Sequence, residues 1–409
     1  MKKTIKLALV AAMALGATSA FATNGDLLIG IGAKARGMGG VSIGMGHGAE
    51  SGIANPALIT SVEGTEVSFG GTLFMPNVSL DGGAGYKDSA ADMSMIPSVS
   101  IVNKVNDNFY WGIGMWGTAG MGVDYRDETA ETMNMVTNLQ LMQFGVPLTY
   151  AVSGFSVGVT PILQYGALDI NYHMAGTEYG EGVAQDLAFG INIGAAYEIA
   201  GVTIGALYKS AIDMEYKGQL SSATQPFADF GIFPGAMGDN LEQPAEIGLG
   251  ISYAIAGNTI AVDFKQIKWG DAKGYKDFNW ENQNVFALGY EYAADAWAVR
   301  LGYNYGKNPI KELPAGPAQN GTVPMSSYAG DAMNLFNLAG FPATTESHIT
   351  IGGTYDFSKK VSLDGAFTYA PETETSFDTS GLASMGMAAP ETSVKHSQTA
   401  LSVQLNYNF

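Results

Sequence analysis

The side chains that could carry out a reaction are few and scattered. The 409-residue chain has 4 histidines and no cysteine. His47, His173, His348 and His396 are not spaced as zinc ligands are, and without cysteine neither thiolate catalysis nor a disulfide framework is open. No G-x-S-x-G elbow and no zincin motif occurs. A Ser–His pair meeting across strands is the one route left to a lipid-cleaving enzyme. Gly112-Ile113-Gly114-Met115-Trp116-Gly117 fits G-x-G-x-x-G, but it lies inside a glycine-rich extended stretch rather than between a strand and a helix, so a dinucleotide site is rejected. No catalytic residue, metal or cofactor is expected.

Binding chemistry is more visible. Lys209 and Arg300 each interrupt an apolar alternation and fall on its polar parity. There a cation can hold a carboxylate head group, or pair with an acid such as Asp263, Glu291 or Asp364. Phe227, Phe230 and Phe233, with Ile232 and Pro234, make one long connection greasy; Met325, Leu335, Phe336, Leu338 and Phe341 do so in another. Exposed apolar clusters of this kind mark a landing groove for a hydrophobic ligand, or loops packed over a mouth. Gly117, Gly120 and Gly122 crowd one strand, where glycine weakens the ladder and marks a bulge or bend; this is either a break in a wall or a close approach of another segment. Asn55-Pro56-Ala57 reads as a turn.

The elements that must position these residues are strands. Leu401, Val403, Leu405, Tyr407 and Phe409 alternate with Ser402, Gln404, Asn406 and Asn408, which puts an apolar and a polar set on opposite faces. Trp297, Val299, Leu301, Tyr303 and Tyr305 do the same against Arg300, Gly302 and Asn304. So do Ile247, Leu249, Ile251 and Tyr253 against Glu246, Gly248, Gly250 and Ser252. Strands are expected at 65–75, 93–104, 109–125, 137–151, 155–170, 186–199, 202–216, 244–256, 258–268, 283–294, 296–307, 346–357, 360–370 and 396–409. The links between them alternate: short ones such as Ser153-Gly154, Ala200-Gly201 and Ala256-Gly257, and long ones such as 217–243 and 308–345. Short periplasmic turns opposite long external loops, aromatics at strand ends and an even strand number are the marks of an outer-membrane barrel. A soluble sandwich has no reason for that asymmetry.

The front of the chain differs. Lys2 and Lys3, the apolar run Leu7 to Leu15 and Ala20-Phe21-Ala22 read as a signal peptide over 1–22, cleaved before Thr23. Residues 23–64 carry closely spaced glycines from Gly30 to Gly52 and no long alternation, which suits a backbone threaded through a tight space. The expectation is an all-β fold: a 14-stranded antiparallel transmembrane barrel over 65–409, with 23–64 as a plug or hatch in its lumen. The net charge is −18, with 38 acids against 20 lysines and arginines. That repels phosphate backbones and excludes a nucleic-acid partner.

With these residues in view, the chain resembles the long-chain fatty acid transporter (FadL) family, which includes aromatic-hydrocarbon channels. The resemblance rests on Gly30-Ile31-Gly32-Ala33-Lys34-Ala35-Arg36-Gly37-Met38-Gly39-Gly40, Asn55-Pro56-Ala57, Gln243-Pro244-Ala245-Glu246-Ile247-Gly248-Leu249-Gly250 and Asp263-Phe264-Lys265. It continues through Leu301-Gly302-Tyr303-Asn304-Tyr305-Gly306-Lys307 and Leu335-Phe336-Asn337-Leu338 to Lys395-His396-Ser397. It implies capture of a hydrophobic ligand between external loops, passage to an inner site against the hatch, and sideways exit at a kink in the third strand. Asn55, Pro56 and Ala57 would be the hatch motif, and Gly117, Gly120 and Gly122 the kink. The expected partners are a fatty acid or hydrocarbon, outer-membrane lipid and lipopolysaccharide, around a monomer. An aqueous porin and a barrel enzyme acting on lipids are the alternatives.

Overall fold

The structure is a computed structural model describing residues 23–174, 176–317 and 323–409. The leader expected over 1–22 lies outside them. The described residues form a closed antiparallel barrel of 14 strands, every strand pairing with its neighbours in sequence and the last with the first.

The wall strands are β1 Thr65–Asp81, β2 Ser94–Lys104, β3 Phe109–Asp124, β4 in two pieces (Val136–Gly145 and Leu148–Val152), β5 Phe155–Met174, β6 Ala184–Ile199 and β7 Val202–Lys209. They continue as β8 Glu246–Ile255, β9 Asn258–Ile267, β10 Gln283–Ala293, β11 Trp297–Gly306, β12 Ser347–Ser358, β13 Val361–Asp378 and β14 Glu391–Asn408. The short turns Ser153-Gly154, Ala200-Gly201 and Ala256-Gly257 have both residues at positive φ, the tight geometry that matches the twist of the two strands it joins.

The faces are inverted relative to a soluble protein. Phe69, Leu249, Leu301, Ile351 and Leu401 point outward and are exposed, while Ser68, Gln398, Gln404 and Asn406 point inward and are buried. An all-round apolar exterior is stable only against lipid.

Several strands depart from their expected limits, with identifiable causes. β13 runs to Asp378 through an irregularity between Ala370 and Thr373, where Pro371 cannot donate to the ladder. Pro147 breaks β4 for the same reason, and its carbonyl accepts from Gly112 N at 2.8 Å. The strand expected over 202–216 leaves the wall at Lys209. Beyond it Ile212, Met214 and Tyr216 turn into the lumen and are buried, held by single bridges Ile212↔Gln243 and Glu215↔Asn240. Long connections contain helices: α3 Leu220–Asp229 and α4 Ala329–Gly340.

Residues 23–64 contribute no wall strand. They hold two short helices, α1 Ala33–Gly37 and α2 Ser51–Ala54, and almost all are buried as far as Ile59.

Candidate functional site

The inward polar parity has a defined task, which is to satisfy the backbone of the leading segment. Asp263 accepts from Ser42 N, Ile43 N and Gly44 N at 2.6, 2.7 and 3.0 Å. Gln404 accepts from Ala33 N at 3.0 Å, and Thr350 bonds both Gly37 O and Gly39 N at 3.0 Å. Asn304, Asn192, Thr160 and Ser252 donate to the carbonyls of Gly39, Ile53, Gly52 and Gly44. A loop buried in a lumen must find such partners, because unpaired buried amides are costly.

Asn55 and Pro56 are anchored the same way. The Asn55 amide donates to Ile43 O at 2.9 Å and accepts from Ala57 N at 3.1 Å, while Thr149 donates to Pro56 O at 2.6 Å. Three wall glycines make the room. A β-carbon at Gly158 would come within 2.5 Å of Pro56 C, at Gly194 within 1.9 Å of the Asn55 Oδ1, and at Gly205 within 1.8 Å of Ile43 O.

At the other end of the segment the wall itself is incomplete. The β2–β3 ladder stops at Ser98↔Trp116, although β3 continues to Asp124. From Trp116 to Val123 every residue of β3 is buried, so both faces have turned inward, and the pairing with β4 slips between Gly117 and Ala119. The edge that β2 abandons is taken by the leading segment. Leu27 bridges Ala119, Leu28 N donates to Thr118 O at 3.2 Å, and Gly120 N donates to Asp26 O at 3.0 Å. Gly117, Gly120 and Gly122 therefore lie along this substituted seam, and a β-carbon at Gly117 would press within 2.5 Å of Ile96 Cγ2.

Asp26 also ties the seam to an external connection. Its carboxyl accepts from the Tyr275 hydroxyl, and burial raises it from 3.8 to about 7. Burial drives the Tyr275 hydroxyl well above its usual value as well.

Above the segment, on the long-loop side, the lumen is filled by aromatic rings. Phe233, Phe227 and Tyr172 form a run with centroid separations of 5.3 and 6.3 Å; Tyr172 meets Phe336 at 6.5 Å, and Phe336 stacks on Phe278 at 5.6 Å and 3°. Trp269, Tyr275 and Trp280 pack together beside them. Met121, Leu241, Tyr275, Phe278, Trp280, Asn337 and Phe341 enclose a cavity of only ≈ 10 Å³, about the space of one water. An acyl chain enters here only by moving rings aside. Leu335 lines a separate groove of ≈ 430 Å³ between external connections near Gly82, Glu131 and Pro390.

The sequence-selected residues separate accordingly. Phe227, Phe233, Leu335 and Phe336 are buried, whereas Phe230 is 47% exposed and stands outside the ring cluster. Lys209 and Arg300 do not face that cluster as free charges. Lys209 and Lys265 share Glu246, at 3.2 and 2.7 Å, and Arg300 binds Glu291 at 2.6 Å with Asp364 at 3.9 Å. Asp263, weighed as an ion-pair acid, spends its oxygens on the segment's amides instead. Tyr172, Tyr275, Phe278 and Trp280 were not singled out from the sequence; the density of rings within the 269–282 connection was the available signal.

A closed lipid-facing barrel, holding its own leading segment and an apolar inner chamber, defines an outer-membrane transport barrel. The comparisons make this specific. Residues 8–324 match the family described as outer membrane protein transport protein (OMPP1/FadL/TodX), and the chain belongs to that family. It is 24% identical to the long-chain fatty acid transport protein of Escherichia coli (strain K12), over 89% of this chain and 91% of that one. It is equally similar to a 47 kDa outer membrane protein of Pasteurella multocida (strain Pm70), over 87% of each. Among solved structures, a Pseudomonas aeruginosa FadL homologue superposes with a TM-score of 0.72 at 14% identity, covering 94% of this chain and 100% of that one. The P. putida toluene transporter TodX superposes at 0.65 and 16%, covering 93% and 99%.

Proposed function

We propose that this barrel carries hydrophobic compounds, long-chain fatty acids or hydrocarbons, across the outer membrane by passive diffusion, and that it has no enzymatic activity. The observation that carries the reading is the seam between β2 and β3, where the leading segment rather than a wall strand pairs with Thr118, Ala119 and Gly120 of β3. Residues 23–64 act as the hatch. A ligand entering the aromatic chamber displaces rings that touch Tyr275, and Tyr275 holds Asp26 at the seam. Release of Asp26–Leu28 opens the wall sideways. Lateral exit suits an apolar cargo: each methylene released to water instead of lipid costs about 0.8 kcal/mol. The closed wall leaves no edge for strand addition by a second copy, and the unit is taken as a monomer surrounded by outer-membrane lipid and lipopolysaccharide after cleavage of residues 1–22.

The test is growth of a deletion strain on oleate and on toluene, with uptake of each measured in parallel. Loss of growth and uptake on either substrate, restored by the gene, is the expected result. Unchanged uptake of both, together with steady ion conductance of the purified barrel in a planar bilayer, would overturn it in favour of an aqueous porin.

A further inference from the structure

The remaining buried cations of the lumen answer to acids, but Arg36 does not. It lies on α1, is 1% exposed, and has no carboxylate within 4.0 Å among the described residues. Burial lowers it only to about 10, so it is a cation at neutral pH. A guanidinium in this position is costly unless an anion joins it.

Its surroundings are built from hydrogen-bonding groups that carry no negative charge. α1 docks on β12 through Thr350, and Arg36 stands within electrostatic range of His348 on the same inward face. Ala370 pairs with Gln398 across β13 and β14, and His348 lies next to Ile349, which pairs with Tyr369 at the end of the β12–β13 ladder. His348, Ala370 and Gln398 are buried, and the side chain of Ala370 is only a methyl. His396 stands next to Gln398 on β14, its Nδ1 bonded to Pro342 O at 2.8 Å. Gln398 Nε2 reaches Thr345 Oγ1 at 3.1 Å. The hydroxyls of Thr344 and Thr368 have no hydrogen-bond partner, and His348 and Gln398 Oε1 have none but each other. Such orphaned buried atoms are rare and call for a ligand or water.

Apolar surface leads away from this cluster in two directions. Phe341, which lines the aromatic cavity, is followed by Pro342, Ala343 and Thr344. Below Gln398 on the same face of β14 comes Ala400, which packs with Phe74, Ile96 and Leu28. Ile96 is the side chain that a β-carbon at Gly117 would press on at the seam.

We propose that Arg36, with His348 and Gln398 beside it, is the head-group site for the carboxylate of an acyl chain, so that this transporter selects fatty acids over neutral hydrocarbons. The inference rests on the transport reading above and names its substrate class. The carboxylate receives the charge-assisted bonds of a guanidinium, and its chain lies over the apolar cluster towards the seam. Because Arg36 belongs to the hatch, occupation of the site bears directly on the segment that must move.

The experiment compares oleate with oleyl alcohol, equal in chain and different in charge, for equilibrium binding to the purified full-length protein in detergent. The wild type should bind oleate at least about tenfold more tightly, the scale of a charge-assisted bond. Arg36→Met should erase that preference, and Arg36→Lys should keep most of it. Heat-modified gel mobility reports whether each variant is a folded barrel. Should Arg36→Met fail to fold, His348→Leu should narrow the preference with the hatch cation intact. Equal wild-type affinity for the two probes, or an oleate preference that survives Arg36→Met or, in its place, is unaltered in His348→Leu, would overturn the assignment. A wild type that binds neither probe would overturn the transport reading itself, and this site with it.

Discussion

Two seams of the same wall behave differently. Between β14 and β1 the ladder runs without interruption from Glu66↔Asn408 to Asp81↔Ser393. Its inward side chains close on one another, Ser68 on Asn406 at 2.6 Å and Thr72 on Ser402 at 2.8 Å. Between β2 and β3 the ladder ends at Ser98↔Trp116, and Thr118, Ala119 and Gly120 of β3 borrow Asp26, Leu27 and Leu28 as their partner. A membrane barrel cannot leave backbone groups unpaired against lipid. The first seam meets that requirement with wall strands and opens only by unzipping. The second meets it with one bridge and two hydrogen bonds to a segment that is not part of the wall. The difference is the basis for placing the proposed gate at the second seam.

The largest effect on this contrast is expected from Trp116→Ala. Trp116 is fully buried where the β2–β3 ladder ends, its ring filling the space that a side chain at Gly114 would need. Its loss should cost about 3–5 kcal/mol locally. Hydrogen exchange should accelerate in β2 and β3 and stay unchanged in β14 and β1; equal acceleration at both seams would break the contrast.

A smaller effect is expected from pH. The Asp26 carboxyl faces Tyr275, Gln243 and Glu246, and its pKa is about 7 when docked against 3.8 when free. The docked state therefore binds the proton more tightly. Its contribution is complete below about pH 4, declines as pH rises, and is gone above about 7. Exchange of the Gly120 amide, corrected for its intrinsic rate, should rise between pH 5 and pH 8, and Asp26→Asn should flatten that profile. A wild-type profile already flat would remove Asp26 as a latch.

The smallest effect belongs to the zipped seam. Thr72→Val removes one neutral hydrogen bond worth about 1 kcal/mol, and thermal unfolding should shift slightly with uptake unchanged. A loss of uptake would mean that this seam also moves.

The barrel was legible because strand alternation and link lengths are local properties. Leu401 through Phe409 alternate in sequence and alternate between lipid and lumen in the wall. The same rule misled at Ile212, Met214 and Tyr216. They keep the parity of an outward face, yet they turn inward onto the ring cluster, because alternation does not say which apolar phase a strand will meet. The inner site was less legible still. Lys209 and Arg300 drew attention as cations on polar parity, but pairing with Glu246 and Glu291 is set by register across strands. Arg36 lies in a glycine-rich segment without periodicity, and its lack of an acid is a property of what that segment packs against. Asn55-Pro56 was visible as a turn, while Gly158, Gly194 and Gly205, which admit it, are far away in sequence and ordinary in context.

The seam can be tested directly with a reversible lock. Leu27 and Ala119 face each other as an antiparallel bridge, and the chain has no native cysteine. Leu27→Cys with Ala119→Cys should form a disulfide, because such a non-hydrogen-bonded pair brings the side chains close. Oxidised, this variant should assemble normally and take up no oleate, and reduction should restore uptake. Uptake at the wild-type rate in the oxidised state would show that cargo leaves by another path, and the account of the gate would be wrong.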